Sequence, residues 1–172
     1  MAMALFLIGM MTVRSEGKSA AVQISGDISQ LIIPVAAYTS TYILDDDEGR
    51  KEFYESCALS LGVTYCLKLS IDKKRPDGGI QAFPSGHTSI AFQGATFIQR
   101  RYGWKFGIPS YLAATYVGWS RIDSKKHDLS DVLTGAAIGF ASSYLFTKPF
   151  KGVTVAPLID EDAVGLTVNV AW

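Results

Sequence analysis

A chain of 172 residues, 48% hydrophobic and 19% charged, has the material for one domain with one core and is neither disordered nor a fibrous repeat. Sixteen Lys and Arg balance sixteen Asp and Glu. That excludes the broad basic field of a nucleic-acid binder and leaves anion recognition to a local cluster.

Met1 to Val13 are almost wholly apolar, Arg14 to Lys18 turn polar, and the small residues Ser19, Ala20 and Ala21 follow. The pattern is that of a secretory signal or short anchor over residues 1–20, without the usual positive start. It predicts export, with residues 21–172 as the functional domain, a helical core at about 28–148 and a tail at 149–172. The first helix is expected from Ile28 to Leu44, seventeen residues without a charge but interrupted by Ser29, Gln30 and Pro34. The stretch DDDEGRKE, Asp45 to Glu52, reads as a solvated turn with acids near a helix start. A second helix is expected from Phe53 to Ile71, a third from Ser85 to Arg101, a fourth from Ile108 to Gly118. A fifth runs from Leu129 to Leu145, with Pro149 as its stop. The uncharged stretches 28–44, 106–120 and 132–147 are short of a clear membrane span. They predict helices packed on one another, with contact to a membrane surface at most. Gly135, Ala136, Ala137, Gly139 and Ala141 predict close helix packing in the fifth. After Pro149, GVTVAPLI and GLTVNVAW alternate and are β-branched, separated by DEDAVG, and predict a short hairpin tail. The fold class is therefore all-α, a compact bundle of five to six helices with a hairpin-like tail.

Cys57 and Cys66 are nine residues apart. On one helix that is about 13.5 Å of axial rise and half a turn of rotation, while a disulfide needs Cα atoms within about 7 Å. Two buried free thiols are expected. No Cys/His spacing suggests a metal.

Three clusters carry the chemistry. In AFPSGHTSIAF, Ser85 and Gly86 precede an apolar helix, so free backbone N–H groups and a positive helix end face whatever lies before them. Taken alone, this is most simply a helix cap beside a structural histidine, His87. In KLSIDKKRP, Lys68 stands seven residues before Arg75, which alone is a basic helix end. In SRIDSKKHDLSD, Arg121 precedes His127 by six, and Asp131 follows His127 by four. That spacing would put the imidazole and the carboxylate on one helix face, one ring nitrogen held and the other free as nucleophile or base.

Together, Lys-x6-Arg-Pro, Pro-Ser-Gly-His and Ser-Arg-x5-His-x3-Asp resemble the three-part signature of the type 2 phosphatidic acid phosphatase superfamily. The match includes Lys68, Arg75, Pro76, Pro84, Ser85, Gly86, His87, Ser120, Arg121, His127 and Asp131. This family holds lipid phosphatases, soluble acid phosphatases and vanadium haloperoxidases. The resemblance implies a helical bundle and phosphoryl transfer through a phosphohistidine, with no metal or other cofactor, although vanadate or phosphate can occupy the cradle. By the resemblance His127 attacks phosphorus, Asp131 orients it and His87 protonates the leaving oxygen. Lys68, Arg75, Ser85, Gly86 and Arg121 bind the phosphoryl oxygens. The physical demands agree, because phosphoryl transfer is mostly positioning and charge stabilisation, and two histidines separate nucleophile from acid. Only seven residues, Asp77 to Phe83, separate the first two motifs, and an open site is expected.

The expected function is a phosphatase acting on phosphomonoesters or diphosphates, lipid-linked or small and soluble. The short, lean architecture points to a bacterial cell envelope, on the periplasmic side. A haloperoxidase is the first alternative, for which the chain is short. A non-catalytic envelope module of the same fold is the second, against which the intact motifs stand.

Overall fold

The structure is a computed structural model that describes residues 19–150 and, as backbone, 153–160 and 163–170. The predicted signal-like segment falls, but for its last two residues, outside the described residues. Five helices run α1 (Ser19–Ile43), α2 (Asp47–Ser70), α3 (Gly86–Tyr102), α4 (Trp104–Asp123) and α5 (Leu129–Phe146). The bundle is all-α. Two backbone strands follow, β1 (Val153–Asp160) and β2 (Ala163–Val170), paired antiparallel with Val153 opposite Val170.

Local chemistry sets most helix ends. Asp46 caps α2, its Oδ1 accepting from the Gly49 amide at 2.9 Å, with Asp47 and Glu48 in the first turn, where acids complement the helix dipole. Ser85 caps α3. Gly103, at φ 89°, ends α3 and begins α4 with no residue to spare, a backbone conformation that favours glycine. Asp128 and Asp131 close a capping box on α5.

Helix α3 is the hub. Phe92, Phe97, Ala91 and Ala95 are buried in it, against Ile33 of α1, Phe53 of α2, Val117 of α4 and Ala136 of α5. Phe53 and Phe97 meet edge to face, centroids 5.2 Å apart, a favoured aromatic geometry. A polar seam runs through the same interior. Ser60 and Thr64 of α2 reach Ser89 Oγ at 2.8 and 2.9 Å, and Gln93 Nε2 donates to Ser56 Oγ at 2.9 Å.

The small-residue stripe of α5 acts as predicted. A Cβ on Gly135 would strike the Ser85 carbonyl, and one on Gly139 the Ser89 carbonyl. The α5 backbone therefore lies directly on the first turns of α3. That approach lets the Ser85 amide donate to the Asp131 carbonyl at 3.0 Å, joining the second motif to the third.

The chain threads the bundle up and down. The C-terminal ends of α2 and α4 and the N-terminal ends of α1, α3 and α5 share one end. Large apolar side chains remain exposed along its flanks, among them Ile28, Leu31 and Val35 of α1, Leu61 of α2, Ile108 and Leu112 of α4, and Leu133 and Phe140 of α5. Among the described residues one helix, α5, is long and apolar enough to cross a membrane by length and composition.

Three expectations need correction. Helices α1, α2 and α4 start earlier than expected, at Ser19, Asp47 and Trp104. The DDDEGRKE stretch is not a solvated turn, because Asp46 and Glu52 are buried on Arg101. The two thiols are free, but Cys66 is exposed and Cys57 half-buried, since α2 lies at the edge of the bundle.

Candidate active site

His127, Asp131, His87, Arg121, Lys68, Arg75, Ser85 and Gly86 all lie at the shared end. His127 stands in the turn after α4, one residue before the Asp128 cap of α5. The expected common helix face is therefore not formed, because the helix begins too late to include His127. The turn nevertheless folds His127 back, and its Nδ1 lies 3.6 Å from Asp131 Oδ2. That is an ion-pair distance, too long for a hydrogen bond. The buried Nδ1 has no hydrogen-bond partner among the described residues.

The Asp131 carboxylate is fully buried and heavily engaged. Its Oδ2 accepts from the Asp128 amide at 3.0 Å, and its Oδ1 accepts from Lys73 Nζ at 2.6 Å. Lys73 also reaches Ser130 Oγ at 3.1 Å and Asp128 Oδ2 at 3.2 Å.

Burial, with the nearby charges of Lys68 and Arg75, pushes the His127 imidazole down from its ordinary 6.5 to about 4. The Ala82 carbonyl and Asp131 pull the other way. The ring is therefore neutral at physiological pH, as a nucleophile must be.

A second cluster surrounds His87 in the first turn of α3. Its Nε2 lies 3.1 Å from Asp27 Oδ1 of α1. The same Asp27 oxygen accepts from Arg121 Nη1. Arg121 also donates through Nη2 to the Gln23 carbonyl at 2.8 Å and through Nε to Ser120 Oγ at 3.1 Å. A guanidinium carries five N–H groups, so two remain for an anion.

Lys68, in the last turn of α2, donates to the Gln81 carbonyl at 2.9 Å. Arg75 donates through Nε to the Ile80 carbonyl at 3.0 Å. Both keep further donors. Gln81 holds a left-handed φ of 55°, a strained backbone of the kind that clusters at functional sites.

Ser85 caps the start of α3. Its hydroxyl is buried, 2.9 Å from Thr88 Oγ1, and accepts from the Thr88 amide at 3.4 Å. Here it is a helix cap. A Cβ on Gly86 would point toward Lys68 Cε at 3.8 Å, so glycine keeps the backbone bare beside that cation. Among the described residues no group of three or more His, Cys, Asp or Glu could hold a metal ion. Two apolar grooves on the flanks, of about 550 and 760 Å³, include none of the expected site residues.

Comparisons with known proteins give the family and the fold. Residues 66–152 match the family model of the PAP2 superfamily. The lipid A 4'-phosphatase of Helicobacter pylori is 30% identical over 138 residues, 73% of this chain and 69% of the relative. The chain belongs to the PAP2 superfamily. The relatives it matches are phosphatases, and it is a phosphoric-ester hydrolase. The lipid A 1-phosphatase of Porphyromonas gingivalis is 37% identical over 112 residues, 63% of this chain but only 24% of that relative. The crystal structure of Aquifex aeolicus LpxE superposes with a TM-score of 0.68 at 20% identity, over 83% of this chain and 92% of that one, a likeness of fold.

Two residues of the site are absent from the family signature. Asp27 is a lone acid at the edge of an apolar helix, and that isolation is the signal that could have found it. Lys73 sits inside the first motif's spacer beside Lys74, and nothing in the sequence sets it apart.

Proposed function

We propose that this PAP2 enzyme is a metal-independent phosphatase that removes phosphate from lipid-linked monoesters or diphosphates through a phosphohistidine. The observation that carries the proposal is the gathering, at one end of an apolar bundle, of a buried neutral imidazole and three cations with donors to spare. His127 Nε2 attacks phosphorus, and Nδ1, facing the Asp131 carboxylate, carries the positive charge that develops. Arg121, Lys68, Arg75 and the amides at the start of α3, Gly86 among them, take the phosphoryl oxygens. Ser85 acts through the helix start it caps. His87 protonates the departing oxygen, and water then cleaves the phosphohistidine with His87 as base.

The lipid-linked substrate is supported by the names of the relatives, lipid A phosphatases, and by the apolar girdle. We further infer that the uncharged middles of the helices sit in lipid, with the charged end at the boundary on the periplasmic side. This is deeper seating than the sequence pattern alone suggests. The tail is read as a hairpin laid on the bundle, outside the chemistry.

A phosphate-release panel on lipid and soluble esters tests the substrate. His127→Ala should abolish turnover and acid-labile phosphoenzyme on every substrate. His87→Ala should lose about 10²–10⁴ in rate on alkyl phosphates and much less on p-nitrophenyl phosphate, whose leaving group scarcely needs a proton. Activity should survive EDTA, and vanadate should inhibit. Retained turnover in His127→Ala would end the covalent mechanism. Extraction of the protein into carbonate without detergent would end the lipid-seated reading.

A further inference from the structure

Helix α1 lies outside the region matched to the family, yet it reaches into the site at one place. Gln23, Gly26 and Asp27 form one turn of it against the end of α4. A Cβ on Gly26 would collide with Ser120 Oγ and Arg121 Nη2, so the helix lies directly on the guanidinium. The Gln23 carbonyl and Asp27 Oδ1 bind two arms of the Arg121 fork, and Asp27 Oδ1 also takes His87 Nε2. A single carboxylate oxygen on a neighbouring helix thus ties a cradle cation to the imidazole expected to act as acid.

We propose that Asp27 is a positioning residue of the phosphatase reaction, which orients His87 against Arg121 and keeps the proton on the His87 ring until the leaving oxygen takes it. The proposal rests on the reading of His87 as general acid. The charged groups that act on His87 are Asp27 from α1, Arg121 from α4 and Arg75 from the segment before α3. Burial and the two guanidiniums oppose a third positive charge at this place. The Asp27 carboxylate is the one opposing influence among the three, and an opposite charge at this range favours the ionised form. In the transfer the His87 N–H bond breaks as the leaving oxygen's O–H bond forms, and the P–O electron pair departs with that oxygen. Asp27 exchanges no proton. It also holds Arg121 from behind, leaving two N–H groups of the fork for phosphate.

The test uses the full chain purified in detergent, with Asp27→Asn and Asp27→Glu, and kcat and KM measured across pH on dodecyl phosphate and p-nitrophenyl phosphate. Asp27→Asn keeps the shape and removes the charge. It should lower kcat on dodecyl phosphate by roughly tenfold to a hundredfold, a part of what a general acid supplies. The falling alkaline limb of its profile should move to lower pH. On p-nitrophenyl phosphate the change should be a few-fold at most, with KM little altered on either substrate. Asp27→Glu should recover part of the rate and restore the limb. Equal losses on both substrates with an unmoved limb in both variants would reduce Asp27 to packing and overturn the proposal. A lower KM with tighter inhibition by orthophosphate would overturn it differently, making Asp27 a competitor for the cradle. His87→Ala in the same panel separates the two failures. If it loses equally on both substrates, the general-acid reading falls and takes this role with it. If it shows the leaving-group dependence while Asp27→Asn does not, only the role of Asp27 falls.

Discussion

Arg101 and Arg121 are both buried arginines, each with only 2% of its surface exposed, and they close opposite ends of one bundle. Arg101 ends α3 and Arg121 ends α4, which runs back along it. At the far end four of the five Arg101 N–H groups are taken. Its Nε and Nη2 bind the two oxygens of Asp46, and its Nη1 binds Glu52 at 3.2 Å and the Lys148 carbonyl at 3.0 Å. Tyr102 adds a hydroxyl to Asp46 at 3.0 Å. At the site end Arg121 keeps two free N–H groups, Lys68 and Arg75 keep more, and a buried imidazole nitrogen has no hydrogen-bond partner among the described residues. Buried charge is normally paired in full, because an unpaired one costs several kcal/mol. Each end leaves a buried nitrogen without a hydrogen bond, Arg100 Nε at the far end and His127 Nδ1 at the site end, but the site end also gathers three cations with donors to spare, as a doubly charged anion would need.

The same substitution at both ends should therefore read out differently, and this is the largest effect expected. Arg121→Lys should cost on the order of 10²–10³ in turnover, the usual loss for one transition-state donor, because a point charge does not replace a two-pronged fork. Its melting temperature should stay near that of the parent. Arg101→Lys should leave the rate per folded molecule intact and destabilise by about 3 kcal/mol, as the two-pronged hold on Asp46 is lost in the interior. Kinetics and thermal melts on the two variants settle it. Comparable rate losses in both would erase the distinction between the ends.

What is legible in the sequence follows the same divide. The starts of α3 and α5 were legible because Ser85, Asp128 and Asp131 act on their own backbone, within three residues. The three family motifs are legible because their residue types and spacings are fixed. The far-end cluster was not, since Asp46 and Glu52 look like solvent-facing acids until Arg101, 55 and 49 positions away, is folded onto them. The start of α1 is hidden for a related reason. Ser25, Gly26 and Asp27 are poor helix formers, and they are placed there by packing against α4, with Asp27 lying 94 positions from Arg121. The face shared by His127 and Asp131 was a wrong period: the contact is made by a turn and not by a helix.

The pH profile sharpens the comparison at the level of one ring. With His127 held at about 4, kcat/KM should show no loss as pH falls through the ordinary histidine range and should drop only as protonation of the nucleophile sets in near pH 4. The sign for stability is the opposite of the usual salt-bridged histidine. The folded value is depressed, so below about 6.5 the unfolded chain binds a proton that the folded one refuses, and stability declines from there toward pH 4. His127→Gln should flatten that part of the stability curve, measured by urea unfolding. An acid limb near 6.5 would mean that His127 is neither buried nor opposed by Lys68 and Arg75 as described.

Lys73→Met should act more gently, since Lys73 steadies Asp131 through its Oδ1, with Asp128 and Ser130 beside it, and none of these is a reacting group. Losing the ammonium leaves a buried carboxylate with its Asp128 amide and its imidazole neighbour. The expected result is a rate loss smaller than that of Arg121→Lys, on both alkyl and nitrophenyl phosphates, since the nucleophile and not the acid is disturbed. A loss confined to the alkyl ester would assign Lys73 to the His87 side instead.

The smallest change is a single methyl group at the joint between α1 and the cradle. Gly26→Ala places a Cβ against Ser120 Oγ, Ser120 Cβ and Arg121 Nη2. Ser120 and Arg121 are buried, so neither can step aside and α1 must retreat. Overpacking of this kind costs about 1–3 kcal/mol, while alanine in place of helical glycine returns up to about 1 kcal/mol, so the net loss of stability should be modest. Turnover should fall by more than that stability loss explains, because the retreat draws the Gln23 carbonyl and Asp27 away from Arg121 and His87. Gly62→Ala is the matched control. Gly62 lies in α2 with nothing within 4 Å of its added Cβ, so the same substitution there should stabilise slightly and leave kinetics unchanged. If Gly26→Ala keeps full activity while its melting temperature drops, the turn at Gln23 to Asp27 is a packing contact only. If it loses activity with its melting temperature preserved, α1 is a working wall of the phosphate site.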